Sequence, residues 1–151
     1  MTLKDIQKLD AVTSERLRIR DGSRAWRALA AITAHSGDLW VLLPLLGLLW
    51  LLEKGAWRRF ALVQAAFIFV TAAAVFLVKY SIRRRRPEGE FGSFYRLLDP
   101  HSFPSGHAAR AAGVAILAAP AVPGWALPVL AVWILGIGIS RVALRLHYVL
   151  D

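Results

Sequence analysis

Cysteine is absent from all 151 residues, so neither a disulfide frame nor a thiolate metal site can form, and the redox compartment stays open. Acid is scarce: ten Asp and Glu stand against nineteen Lys and Arg, a net charge of +9. The loop acids Glu88, Glu90 and Asp99 lack histidine partners at ligand spacing, which leaves no convincing metal set and implies no cofactor. A cleavable signal peptide is missing too, because Met1 to Arg27 mixes seven Lys/Arg with four Asp/Glu and has no apolar core. No internal repeat or low-complexity tract marks the chain.

What the chain has in quantity is apolar surface. Hydrophobic residues make up 57% of it and the mean hydropathy is +0.50, high for a soluble domain of this size. Residues 60–78 form 19 uncharged positions, enough for one helical crossing of a bilayer. Residues 111–140 form 30 more, broken by Pro120, Pro123 and Gly124. As one helix that stretch would be roughly 45 Å long, too long for one span, so it reads as two helices joined at the Pro/Gly turn. Residues 39–52 are more apolar but shorter, and need Thr33 to Gly37 to complete a span. Four such segments leave too little polar surface for a soluble helical protein.

The expected fold is therefore all-α: a polytopic membrane helical bundle of four visible spans preceded by an amphipathic helix. Leu3, Ile6, Leu9, Val12, Leu17 and Ile19 recur among charges at roughly helical spacing, which places residues 1–33 at the interface, with a second helical stretch from Arg24 after Asp21-Gly22. The membrane domain covers 34–151, with spans at about 34–53, up to Tyr80, from Pro104 to Pro120, and from Gly124 to Arg141. The basic residues flank apolar spans, so anionic lipid headgroups, not nucleic acid, are the expected partner.

Three polar clusters fall on one side of this topology. Lys79 and Arg86-Pro87 close the second span; Pro87 disfavours helix at Arg86, which lets Arg86 turn back. Arg83, Arg84 and Arg85 read as interfacial anchors. Pro104-Ser105-Gly106-His107 opens the third span, where a helix N-terminus offers backbone N–H groups to an anion, Gly106 permits close approach and Ser105 adds a hydroxyl. Ser140-Arg141 leads to His147 and Asp151, an i,i+4 pair expected on one helical face. A carboxylate on one imidazole nitrogen sets the tautomer and leaves the other nitrogen to attack.

In order, these clusters read Lys-x6-Arg-Pro, Pro-Ser-Gly-His and Ser-Arg-x5-His-x3-Asp, and over residues 34–151 the sequence resembles the type 2 phosphatidic acid phosphatases, the lipid phosphate phosphatases. The resemblance implies that His147 attacks phosphorus, that Asp151 orients His147, and that His107 protonates the leaving lipid oxygen and then activates water. It implies that Lys79, Arg86, Arg141, Ser105 and the Gly106 N–H hold the phosphate oxygens, with a lipid phosphate as substrate. Phosphoryl transfer asks for such positioning and charge stabilisation.

The family usually has six spans, so the resemblance also implies a further apolar helix after Asp151 to hold that carboxylate. With four spans, the N-terminus and the site share a side. The basic N-terminal segment faces only Lys54, Arg58 and Arg59 in the first opposite loop, which puts that side in the cytoplasm, in a bacterial inner membrane. Two rivals stand beside this reading. Vanadium haloperoxidases share the motifs but are large and soluble; a catalytically inactive scaffold that binds anionic lipid would keep the basic face without turnover.

Overall fold

The apolar runs are helical in the computed structural model, which describes residues 2–19, 24–88 and 99–151. Among these residues six helices follow in order: α1 (Leu3–Arg16), α2 (Arg24–His35), α3 (Leu39–Leu52), α4 (Gly55–Ile82), α5 (Gly106–Ala118) and α6 (Ala126–Ala143). The expected all-α bundle forms. Asp21-Gly22 and Glu90 lie outside the described residues.

Helices α4 and α6, at 28 and 18 residues, are long and apolar enough to cross a membrane, and α2 with α3 would make a third crossing bent by 53°. The bend corrects the first expected span. Thr33 to Gly37 do not extend α3 backwards; α2 runs on to His35 and the chain breaks before Leu39. Two contacts with α6 hold the break. Ser36 Oγ donates to Thr33 O (2.7 Å) and accepts from Trp133 Nε1 (2.9 Å). A Cβ on Gly37 would stand 3.0 Å from Ile137 Cδ1.

Helix α5 is shorter than the span expected from Pro104 to Pro120. Its 13 residues rise only about 20 Å at ~1.5 Å per residue, less than a bilayer core. The Pro120/Pro123/Gly124 turn takes the last expected residues out of the helix. Helix α5 is instead seated against α4. Gln64 Nε2 donates to Val114 O (3.0 Å), and Gly113 lies so close to Phe67 that a Cβ would meet the ring at 1.9 Å.

Helix α1 is amphipathic in an unusual sense. Thr2 and Asp5 form a capping box at its start. Its protein-facing side is polar, with Asp10 and Ser14 buried, while Leu9 and Val12 face outward. Ile19 leaves that outward stripe and packs against Ala30, Ala34, Leu144 and Leu146. The outer surfaces of the long helices are also apolar: Trp40 is 89% exposed, and Leu51, Phe69, Val70, Leu77 and Val132 are exposed with it. A belt of that size suits hydrocarbon, not water.

The Gly113–Phe67 approach is testable. Gly113→Ala forces the ring aside at a cost of about 1–3 kcal/mol, read as a lower Tm in detergent, and Phe67→Leu in the same chain restores part of it. A Gly113→Ala protein with an unaltered Tm would show that the two helices are not closely packed there.

Candidate active site

Helix α6 ends where Leu144 caps it, and Arg145 takes a left-handed conformation (φ 59°). The chain doubles back, so that Leu146 N–H and His147 N–H both bond to Arg141 O, at 2.9 and 3.2 Å. His147 and Asp151 are therefore brought together by a turn, not by the helical face expected from their spacing. His147 Nδ1 lies 3.2 Å from Asp151 Oδ2, and Nε2 lies 3.0 Å from Arg86 NH1. A ring that donates Nδ1–H to the carboxylate presents a lone pair at Nε2.

Asp151 is held by several bonds within the described residues. Its Oδ2 also accepts from Tyr148 N–H (2.8 Å), and Oδ1 accepts from Ser102 Oγ (3.1 Å) and Arg84 NH1 (2.8 Å). Its backbone oxygen accepts from Ser105 N–H (2.9 Å), which ties the turn to the start of α5. Arg84 is thus no surface anchor. It lies over the Tyr148 ring and its other terminal nitrogen donates to Asp10 Oδ2 of α1 at 2.5 Å. Asp10 and Ser14 then accept the Leu150 and Val149 N–H groups, at 3.1 and 3.0 Å. Sequence reasoning missed Arg84 and Asp10, because neither belongs to a motif and their partners are 67 and 74 residues away.

Lys79, Arg86 and Arg141 are all buried, Arg141 to 1% exposure, and all three line one cavity of about 450 Å³. Arg86 is fastened by its donations to Leu146 O (2.7 Å) and Asp99 O (2.8 Å). Lys79 Nζ bonds Asp99 Oδ2 and His101 O, the latter at 3.0 Å, and Arg86 NH2 donates to the same Asp99 oxygen at 2.8 Å. The Asp99 carboxylate thus sits on the cation pair where an anionic ligand would sit. Ser102 N–H to Arg84 O (2.8 Å) and the Arg85–His101 bridge hold the outgoing and returning segments together.

Gly106 and His107 line the same cavity; Ser105 does not. Ser105 is the N-cap of α5, and its Oγ accepts from Ala108 N–H at 3.4 Å. A Cβ on Gly106 would lie 3.3 Å from Arg110 NH1 and 3.5 Å from Val75 Cγ1, so the wall there is already close. Arg110, one turn beyond His107, is buried and lines the cavity, another cation outside the motifs. The opposite wall is apolar, built from Leu39, Trp40, Ala72, Val75 and Phe76. Among the described residues no three His, Cys, Asp or Glu side chains converge as metal ligands would.

Burial drives the His147 imidazole down to about 3; the charges of Arg141 and Arg86 push the same way, and the Asp151 bond opposes them. Burial works to raise Asp151, but its bonds from His147 and Tyr148 N–H and the charge of Arg84 hold it below the ordinary carboxylate range. Asp99 is likewise held low: burial opposes, and Lys79 and Arg86 prevail. At neutral pH the pair is a neutral ring beside a carboxylate.

Comparison with known proteins places this geometry. The family model described as the PAP2 superfamily matches residues 60–151. In structure the chain is similar to that reported as the first transmembrane PAP2 type phosphatidylglycerolphosphate phosphatase from Bacillus subtilis. The TM-score is 0.78 at 24% identity, over 97% of this chain and 77% of that one. The likeness establishes a shared fold.

The depressed His147 value has a sign that can be checked. The unfolded ring takes a proton near pH 6.5 and the folded ring only near 3, so His147 costs no stability above 6.5 and lowers it as pH falls below that. In ¹⁵N-histidine NMR of the protein in detergent, the resonances absent from His147→Gln should stay those of a neutral ring down to pH 5. Titration of those resonances near 6.5 would contradict the buried, cation-flanked environment.

Proposed function

The chain belongs to the PAP2 superfamily, and on that footing we propose that it removes a terminal phosphate from a membrane lipid through a phosphohistidine on His147, with no metal. The observation that carries the reading is the His147 ring: Nδ1 on the Asp151 carboxylate, Nε2 against Arg86, in one cavity with Lys79, Arg141 and His107. His147 Nε2 attacks phosphorus while the bond from phosphorus to the lipid oxygen breaks. His107 gives that oxygen its proton. It then takes a proton from water as the water attacks phosphorus, and the P–N bond breaks to release inorganic phosphate.

Lys79, Arg86 and Arg141, with the Gly106 N–H, hold the phosphate oxygens; Ser105, whose hydroxyl caps α5 and does not line the cavity, supports the helix N-terminus instead. Substrate takes over the bonds that Lys79 and Arg86 give to Asp99. Three fixed cations supply the charge stabilisation that other phosphatases draw from metal ions. The apolar wall of Leu39, Trp40 and Phe76 suits the lipid chain next to the headgroup. The substrate class is an isoprenoid or polyprenyl phosphate or diphosphate, or a phospholipid phosphate such as phosphatidylglycerol phosphate, with the isoprenoid preferred. The location is a bacterial inner membrane.

The site faces the cytoplasm in this reading. Asp10 and Glu15 of α1 bond to Arg84 and Arg145, so the basic N-terminal segment and the site share one end of the bundle. The positive-inside rule then assigns that end. Because the chain has no cysteine, Lys54→Cys is a single reporter at the other end, and an impermeant maleimide should label it in cells whose outer membrane is permeabilised. Labelling of Arg18→Cys instead, with position 54 protected, would reverse the orientation.

Phosphate release from a panel of isoprenoid and phospholipid phosphates should persist in excess EDTA, stop with vanadate, and fall by at least ~10³-fold in His147→Ala. Lipid binding should survive that substitution. Release that needs a divalent ion, or that His147→Ala retains, would overturn the mechanism; a wild-type chain that binds lipid without releasing phosphate would leave the scaffold reading.

A further inference from the structure

Asp38 occupies the N-cap position of α3, with extended backbone (φ −71°, ψ 149°), yet its side chain makes no capping bond. Aspartate at that position ordinarily accepts from its own helix. Here both oxygens are spent elsewhere. Oδ1 bonds His107 Nε2, and Oδ2 bonds His35 Nδ1 at 2.8 Å. The backbone around it is pinned by both neighbouring helices: Arg110 Nε donates to Gly37 O (3.4 Å), Trp133 Nε1 to Ser36 Oγ, and Gly37 is pressed against Ile137. The 53° break between α2 and α3 is thus held in the place that carries a carboxylate to His107, and it lies before residues 60–151, the part the family model matches.

We propose that Asp38 is the positioning residue of His107, taking its Nε2–H so that the ring exchanges protons with substrate and water at Nδ1. This rests on the reading of His107 as the acid and base of the reaction. In the first step the Nδ1 proton passes to the lipid oxygen as the phosphorus–oxygen bond breaks, and the ring is left neutral with Nε2–H on Asp38. In the second, Nδ1 takes a proton from the attacking water, and the carboxylate balances the imidazolium that results. His35, on the other oxygen, holds the carboxylate plane. Asp38 and His107 repeat the logic of Asp151 and His147 with the opposite ring nitrogen committed.

The test uses leaving groups. An alkyl lipid phosphate needs a proton on its departing oxygen; 4-nitrophenyl phosphate needs it far less. Asp38→Asn should lower kcat/KM for the lipid phosphate by ~10²-fold and for the aryl phosphate by only a few-fold, with KM little moved. Asp38→Glu should recover part of the loss. In a His107→Asn background, Asp38→Asn should cost little more, since both act through one proton. Equal losses on the two substrates, or an undiminished Asp38→Asn effect in the His107→Asn background, would overturn the proposal while His107→Asn alone still discriminates between leaving groups. If His107→Asn itself treats both substrates alike, the acid–base reading of His107 fails and Asp38 falls with it.

Discussion

The buried Asp151 carboxylate is the junction on which the site geometry depends. Its two oxygens receive His147, Tyr148 N–H, Ser102 and Arg84, and Arg84 passes the link on to Asp10 of α1. One side chain thereby joins the turn after α6, the segment leading to α5, the segment leaving α4 and the N-terminal helix. Removing one partner of such a buried pair costs about 3–5 kcal/mol, because the other charge is left without compensation. Against a total stability of about 5–15 kcal/mol, that is enough to decide whether these elements meet at all. The exposed contact of Arg18 with Glu15, at 3.4 Å, carries no comparable weight.

The other side of the cavity stores the reverse stress. Lys79, Arg86 and Arg141 are buried together along one cavity, an arrangement that stability alone would not select. Asp99 relieves it by bridging two of the three. The cation pair is thus bridged by the chain's own carboxylate, and under the proposed function a dianionic phosphate would compete with a single charge for the same donors. That difference in charge, not shape alone, gives entry its direction.

Much of this could be read in the residues themselves, for physical reasons. Runs of 19 and 30 uncharged positions leave helices as the only backbone that satisfies its own hydrogen bonds in lipid, and α4 and α6 followed. Spacing placed Lys79, Arg86, His107, Arg141 and His147, and the fold brings all five to one cavity. Local geometry was less legible. The His147–Asp151 spacing fits a helical face and a tight turn alike, and only the left-handed Arg145 and the paired bonds to Arg141 O choose the turn. Arg84 looked like one of three equivalent arginines until Asp10 and Asp151 singled it out. Asp38 did leave a signal: an ionisable residue within an expected span is functional by default, since lipid penalises it otherwise. The break at Ser36–Asp38 hid it, because serine, glycine and aspartate are also ordinary loop residues.

The inverted polarity of α1 has a mechanical consequence. Its polar side supplies the acceptors for Val149 and Leu150, while Leu9 and Val12 point away from the protein. The turn that carries His147 is consequently clamped by a helix whose outward stripe is apolar. A harsh surfactant that lifts α1 would loosen the turn and leave the rest of the bundle standing. Loosening of that kind would be reversed by returning lipid, and far-UV circular dichroism would scarcely register it.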